Sequence, residues 1–331
     1  MVNRLYKPGQ LLDMHIHTQY SDGMFSVPEL LSFAENRGID VLSFTDHDVL
    51  YANYEVRDLM AKNKSPFNGK YINGCEIAVS YNGKKYEVLA YDFDLDELSK
   101  FEALSWEFQS QLERERLQKL VETGKNLGFK VTTGLDFDVK FRTAHKCFFN
   151  DLAKYPENMI LYAKYNIDKC DNLYRDHMIR PGSLFHCYDI VAETPPIEYV
   201  CDKIHKAGGL AVFAHAFTVY GEKDPKKLVD DLYKKNILDG FESIHKKFTL
   251  DECVYMYRFC LDRGLIPTGG TDLHGEGFKI HGVRYEPECL AFEKYSQLEP
   301  RFPILKTARG DIVRWWLNML LWDYLFWLLF V

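Results

Sequence analysis

The sequence predicts an α/β fold, a barrel in which strands alternate with helices. Three observations predict it. Short apolar runs recur from Leu11 to Thr271, and each leads into histidines or carboxylates: LLDM before His15 and His17, VLSFT before Asp46 and His47, YINGC before Glu76, GLAVFA before His215, LDGF before Glu242 and His245, and IPTGGT before Asp272 and His274. Helical patterns fall between these runs, the alternation of an α/β domain. A parallel α/β barrel gathers side chains from the C-terminal ends of its strands into one site.

The first unit sets the pattern. Leu11 to His17 reads as a strand and Asp22-Gly23 as a turn. Ser26 with Glu29 forms a capping-box signal, Pro28 stands early in the helix, and Gly38 stops it. Ile39 to Thr45 is the next strand, so the unit is β-turn-α-β and its strands pair in parallel. A helix over 53–62 precedes the strand at Tyr71. Asn82-Gly83 between 76–80 and 86–91 is a hairpin signal.

From Asp96 to Leu127 a long charged helix is expected, with Leu98, Phe101, Leu104, Phe108, Leu112, Leu117 and Leu120 on its apolar face. It opens a helical insertion over residues 97–189. A helix then resumes and ends at Gly208-Gly209 before strand LAVFA. Helices at 228–235 and 250–263 separate the last two strands. The expected organisation is a discontinuous barrel, 11–96 with 190–300, an insertion that shapes the substrate site, and a tail at 301–331.

Composition bounds the partners. At 331 residues with 47% hydrophobic content the chain can bury one large core. Its net charge of −7 gives no global basic field for nucleic acid. No CxxC pair and no N-terminal signal pattern appear, which points to a reducing, cytoplasmic setting with free thiols. Trp315 to Val331 is apolar but 17 residues long and carries Asp323. A spanning helix needs about 20 residues. About −0.5 kcal/mol for each strong apolar residue is largely offset by about +3 for the aspartate. Membrane association through the tail and packing on the body or in a dimer both stay open.

His15 and His17 are two apart on a strand and face the same side, so both imidazoles can reach one cation. Imidazole with carboxylate suits zinc, iron or manganese. Lys246-Lys247 after a strand reads as a solvated face, and no Gly-rich phosphate loop is present.

Taken together, HIH at 15–17, SDG at 21–23, TDHD at 45–48, Glu76, AHA around His215 and GTDLH at 270–274 resemble the PHP (polymerase and histidinol phosphatase) metal-dependent phosphoesterases. The resemblance covers residues 11–300 in order. The stretch around Glu76, the TAH segment and the insertion look most like the branch of nucleoside 3′,5′-bisphosphate phosphatases and a 5′–3′ exoribonuclease. It implies a distorted (β/α)7 TIM-like barrel with two or three divalent ions (Mn, Zn or Fe). His15, His17, Glu76 and Asp272 would hold one; Glu76 would bridge to a second with His215; Asp22, His47 and His274 would hold the third. Glu87 stands where the branch usually has a histidine and still offers an oxygen ligand. Arg142 stands three residues before His145, where relatives place an arginine two before, and Ala216 replaces a usual proline.

The activity so implied is hydrolysis of a phosphate ester by metal-activated hydroxide. Arg142 would take up phosphoryl charge, and His145 or the Glu242–His245 pair would protonate the leaving alkoxide. Asp46 is expected to orient a ligating histidine. The expected substrate is a small phosphorylated molecule, a 3′,5′-bisphosphonucleotide or short oligoribonucleotide; the scarcity of basic clusters disfavours long nucleic acid. A histidinol-phosphatase-like activity, an amidohydrolase-type C–N hydrolase and a non-catalytic metal-binding module are the alternatives.

Overall fold

The computed structural model describes residues 5–6, 10–136, 144–219, 221–275, 279–280 and 283–284. Arg142 and the apolar tail lie outside the described residues. No helix among the described residues is long and apolar enough to cross a membrane.

The fold is mixed α/β. Strand β1 (Leu12–Asp13) pairs in parallel with β2 (Val41–Leu42), and β2 with β3 (Lys70–Tyr71). Two residues beyond β3 the chain enters β4 (Gly74–Tyr81), which opens a sheet in the order β4, β5 (Lys84–Tyr91), β6 (Leu210–Phe213), β7 (Gly240–His245), β8 (Ile266–Gly270). The two sheets meet at both ends. Glu76 N donates to Asp46 O (3.2 Å), and Met14 N to Gly269 O (3.1 Å).

The expected hairpin forms, with Asn82-Gly83 turning β4 back as β5. Against the expectation of a parallel barrel, β5 is antiparallel to both β4 and β6. Asn82 and Gly83 both have positive φ (46° and 71°), the conformation this tight turn needs. Glu87 therefore enters the site from mid-strand rather than from a strand's end. The first strands are also shorter than the apolar runs suggest. Beyond Leu42 the backbone still bonds to β1's continuation, Thr45 N to Ile16 O (2.8 Å), but Thr45 Oγ1 takes the bond from Ile16 N (3.1 Å). A side chain there stands in for a ladder carbonyl.

Helices cover the sheets. Helix α1 (Val27–Asn36) starts where Glu29 accepts from Ser26 N (2.8 Å) and Oγ (2.6 Å). It packs with α2 (Tyr51–Ala61) over β1 and β2 through Leu31, Phe44 and Val56. Helices α7 (Ile197–Lys206), α8 (Pro225–Lys234) and α9 (Leu250–Asp262) back the larger sheet, burying Ile204, Leu232 and Met256 against Phe213 and Phe241. Each such side chain contributes about 1.5–3 kcal/mol through burial. A further cluster draws Met14, Val41, Ile72, Leu89, Val212 and Ile266 together from β1, β2, β5, β6, β8 and their flanks.

The expected helix over 96–127 is broken. A short α3 (Leu95–Leu98) is followed by a 3₁₀ turn, and the long α4 (Trp106–Asn126) starts afresh where Ser105 Oγ accepts from Phe108 N (3.2 Å). Polar serine at that position caps a new helix instead of continuing the old one. Helices α5 (Ala144–Leu152) and α6 (Met159–Tyr165) pack with α4 on their own cluster, including Leu120, Phe148, Leu152 and Phe185. A π-helical turn, Leu173–Met178, follows.

Candidate metal centre

The ends of β1, β2, β6, β7 and β8 converge with β4 and β5 on one cluster. His15 Nε2 lies 3.2 Å from Glu76 Oε2 and 3.7 Å from Asp272 Oδ1. His17 Nε2 lies 3.2 Å from Glu76 Oε2 and 3.3 Å from Asp272 Oδ1. His215 Nε2 is 2.8 Å from Glu76 Oε1 and 3.4 Å from Glu87 Oε2. His47 Nδ1 is 3.2 Å from Glu76 Oε2 and 4.0 Å from Glu87 Oε1. Asp22 Oδ1 faces His274 Nε2 at 3.1 Å and His47 Nε2 at 3.7 Å. All nine expected ligands are thus in one place, with Glu76 at its centre.

The backbone is shaped for this. His215 and Asp272 have positive φ (25° and 49°), a region costly for such residues and typical of functional sites. Asp272 N donates to His15 O (2.7 Å), and His17 N to Leu273 O (2.9 Å), which locks β1 against the segment after β8. Gly270 permits that approach, because a Cβ there would collide with the His15 backbone.

Burial opposes charge on His17, yet hydrogen bonds to Asp272 and Glu76 raise its pKa to about 10. His215 is raised to about 9 against burial, chiefly by Glu76. His15 is raised well above its ordinary value by Glu76 and Glu242, again against burial. Burial pushes Glu76 and Asp272 up, but the histidines around them hold both well below the usual carboxylate range. Carboxylates that draw the pKa of His15, His17 and His215 up against burial make an environment that demands positive charge.

That demand is what divalent ions would meet, and the donor atoms fit them. His215 Nδ1 is buried without a hydrogen-bond partner, and His17 Nε2 and Asp22 Oδ1 each face two groups at once. Three sets of donor atoms lie within 4.8 Å of one another: His17, Asp22, His47 and His274; His15, His17 and Glu76; His47, Glu76 and Glu87. Residues common to two sets describe adjoining positions, and the imidazole and carboxylate mixture suits zinc, manganese or iron.

Other expected site residues stand behind this layer. Glu242 is buried; its Oε1 lies 2.9 Å from His15 Nδ1, and its Oε2 accepts from His215 N at 2.8 Å. His245 Nε2 is 3.1 Å from Asp272 Oδ2. Asp46 accepts from Thr18 N (2.7 Å), Thr18 Oγ1 (2.7 Å) and Ser21 Oγ (2.6 Å), so it fixes the 18–21 turn rather than a ring. His145 stacks near Tyr174 with ring centroids 4.5 Å apart. Burial, then Lys146 and Lys85, push its pKa down to about 3, so its ring is neutral and does not suit the acid role expected of it.

A cavity of about 580 Å³ opens over Glu76, Glu87, His215 and Asp272. Lys84, Lys85, Arg175, Arg180 and Lys247 line it, and of these the two arginines were missed in the sequence. The Lys246-Lys247 pair, expected on a solvated face, instead sends Lys246 Nζ to within 3.3 Å of Asp272 Oδ2 and Lys247 to the cavity wall. Lys146 Nζ of α5 reaches Asp22 Oδ2 at 2.8 Å. Arg175 lies in the π-helical turn and Arg180 just beyond it, a geometry no sequence period announces.

Comparison with known proteins agrees with this centre. The PHP domain model matches residues 13–247. The 5′-3′ exoribonuclease of Haemophilus influenzae is 28% identical over 269 residues, 79% of this chain and 89% of that protein. The 3′,5′-nucleoside bisphosphate phosphatase of Chromobacterium violaceum is 25% identical over 311 residues, covering 90% and 99%. The phosphoribosyl 1,2-cyclic phosphate 1,2-diphosphodiesterase of Eggerthella lenta is 25% identical over 278 residues, covering 82% and 97%. The fold is similar to that of a Bifidobacterium adolescentis protein assigned as a metal-dependent phosphoesterase (TM-score 0.60, 19% identity, 89% of this chain and 98% of that one). It is also similar to that of a Chromobacterium violaceum amidohydrolase with bound sulfate (TM-score 0.55, 21% identity, 91% and 99%). With its matched segment carrying His15, His17, Asp22, His47, Glu76, Glu87 and His215 of the cluster, the chain belongs to the PHP domain family and is a metal-dependent phosphoesterase.

Proposed function

We propose that the chain hydrolyses a phosphate ester of a nucleotide, either a 3′,5′-bisphosphonucleotide or a short oligoribonucleotide. The observation that carries this reading is one cavity with a floor of imidazoles and carboxylates and a rim of Lys85, Arg175, Arg180 and Lys247. The floor suits cations, and the rim suits the phosphoryl oxygens of a substrate. Relatives acting on nucleotide and ribonucleotide esters support the substrate class.

His15, His17, Glu76 and Asp272 would hold one divalent ion, Glu76 with His215 and Glu87 a second, and Asp22, His47 and His274 a third. When bound, such ions activate water as a nucleophile and stabilise charge on the phosphoryl group. The chain's own residues do the rest. Glu242 orients His15 and His215 through its two oxygens. His245 steadies Asp272, and Asp46 steadies the turn that presents Asp22. Lys247 and the two arginines position the phosphate by hydrogen bonds.

The architecture we infer is a distorted barrel of seven strands, with β3 and β4 counted as one. The Met14–Gly269 and Glu76–Asp46 hydrogen bonds support closure, as does the inner cluster drawn from strands around the ring. Residues 97–189 are proposed as an insertion over the site, supported by their separate core.

The test is hydrolysis by the Mn²⁺-loaded protein, read as inorganic phosphate from a 3′,5′-bisphosphonucleotide and from histidinol phosphate and as mononucleotide from a 5′-phosphorylated short RNA, with a lactone and an amide as controls. Release from the nucleotide substrates, lost in His17→Ala, is expected. Turnover of the amide or lactone alone would refute the reading.

A further inference from the structure

The catalytic cavity has a neighbour. A second cavity of about 510 Å³ lies between the β4–β5 hairpin, the start of α4, residues 190–196 and α7. Lys85 and Ile190 line both cavities. On the sheet the two are contiguous. Ala78 pairs with Glu87 and Ser80 with Lys85, and residues two apart on a strand share a face. Ala78 lines the second cavity while Glu87, directly across from it, lines the first.

Its walls differ in kind from those of the first cavity. None of the nine candidate ligands lines it; aromatic rings and cations do, together with Asp48, Glu102 and Glu193, and of the cations Lys85 pairs with Glu87 and Lys100 with Glu97. Phe101 meets Tyr199 edge-on with centroids 5.7 Å apart. Phe108 and Tyr199 stay 38% and 48% exposed. Lys203 Nζ lies 5.0 Å over the Tyr199 ring, and Lys85 and Lys100 stand at the wall. Open aromatic faces beside cations, in a chain of net charge −7, provide a base with a stacking surface and a phosphate with a counter-charge. The volume is within the range of small-molecule sites.

Resting on the reading of the first cavity as a nucleotide phosphoesterase site, we propose that the second cavity receives the nucleotide joined to the one whose phosphate ester is cleaved. The substrate class is then a di- or trinucleotide in preference to a mononucleotide.

The test compares wild-type protein with Phe108→Ala/Tyr199→Ala, which touches none of the candidate ligands. Binding of a 5′-phosphorylated trinucleotide with a 3′ fluorophore and phosphorothioate linkages, which resist cleavage, is read by anisotropy on the metal-loaded protein. Loss of stacking weakens it at least fivefold, while displacement by a 3′,5′-bisphosphonucleotide changes less than twofold. Phe108→Tyr/Tyr199→Phe keeps the rings and restores binding, which separates stacking from misfolding. Equal trinucleotide binding by the wild type and the double alanine variant overturns the proposal, as does an equal loss for both ligands. A binding split in a protein that cleaves no nucleotide ester would sink the nucleotide reading of the first cavity and leave the second as a nucleotide-binding site alone, without the proposed place beside a scissile bond.

Discussion

Replacing Glu242 with glutamine separates orientation from proton transfer. The carboxylate is buried, and each oxygen serves a different ligand: Oε1 the ring of His15 at 2.9 Å, Oε2 the backbone N–H of His215 at 2.8 Å. Glutamine keeps the shape but offers one acceptor and one donor. One of the two partners then faces an N–H instead of an oxygen, and the negative charge that helps raise His15 is gone. Loss of such an outer partner costs about 10–100-fold in metal affinity, or about 1.4–2.7 kcal/mol. The assay is Mn²⁺ or Zn²⁺ competition against a chelator, with phosphate release measured as metal is raised. Weaker binding with activity recovered at saturating metal is expected. Unchanged affinity together with activity lost at every metal concentration would refute the orienting role and return Glu242 to the chemistry.

Three further outcomes follow from the geometry. Gly270→Ala forces a methyl group into the His15 backbone; overpacking of about 1–3 kcal/mol is expected, read as a lower midpoint in urea, and an unchanged midpoint would contradict the close β1–β8 approach. Chelation removes whatever ions the cluster holds, and resupply at a hundredfold excess over Kd restores about 2.7 kcal/mol per site; a melting temperature indifferent to metal would count against the site. His205 Nε2 lies 2.8 Å from Asp239 Oδ2, and that hydrogen bond raises the histidine's pKa. The pair's stabilisation is complete below the unfolded value of about 6.5 and fades as pH rises through the folded value. The melting-temperature gap between wild type and His205→Ala is therefore wider at pH 6 than at pH 9; the opposite trend would reject the pairing.

The residues at the head of the site were legible because their signals are local. Two histidines two apart on a strand face one side whatever the rest of the chain does. The runs before His47, His215 and Asp272 declare buried strands that must end somewhere, and a polar end beside an apolar run marks a mouth. Capping at Ser26 and the turn at Asn82-Gly83 are likewise written in adjacent residues. What stayed hidden depends on distance in sequence. Lys247 looks like any surface lysine until α9 and β8 fix the loop beside Asp272. Arg175 depends on a helical turn of irregular pitch. Glu242 reads as a ligand or an acid from its position after a strand, and only the placement of β1 and β6 on either side shows it turned away from the cavity. The break at Phe101–Ser105 was missed because leucines at helical spacing continue across it, while the serine that restarts the helix is a single residue.

Lys146 ties the helical layer to the metal centre through one oxygen of Asp22. A cation held by the other oxygen of that carboxylate would weaken the lysine's hold, and a displaced α5 would leave the carboxylate free to bind the cation harder. Filling the centre and seating the helices above it would then be two ends of one balance, each felt equally at the other by reciprocity.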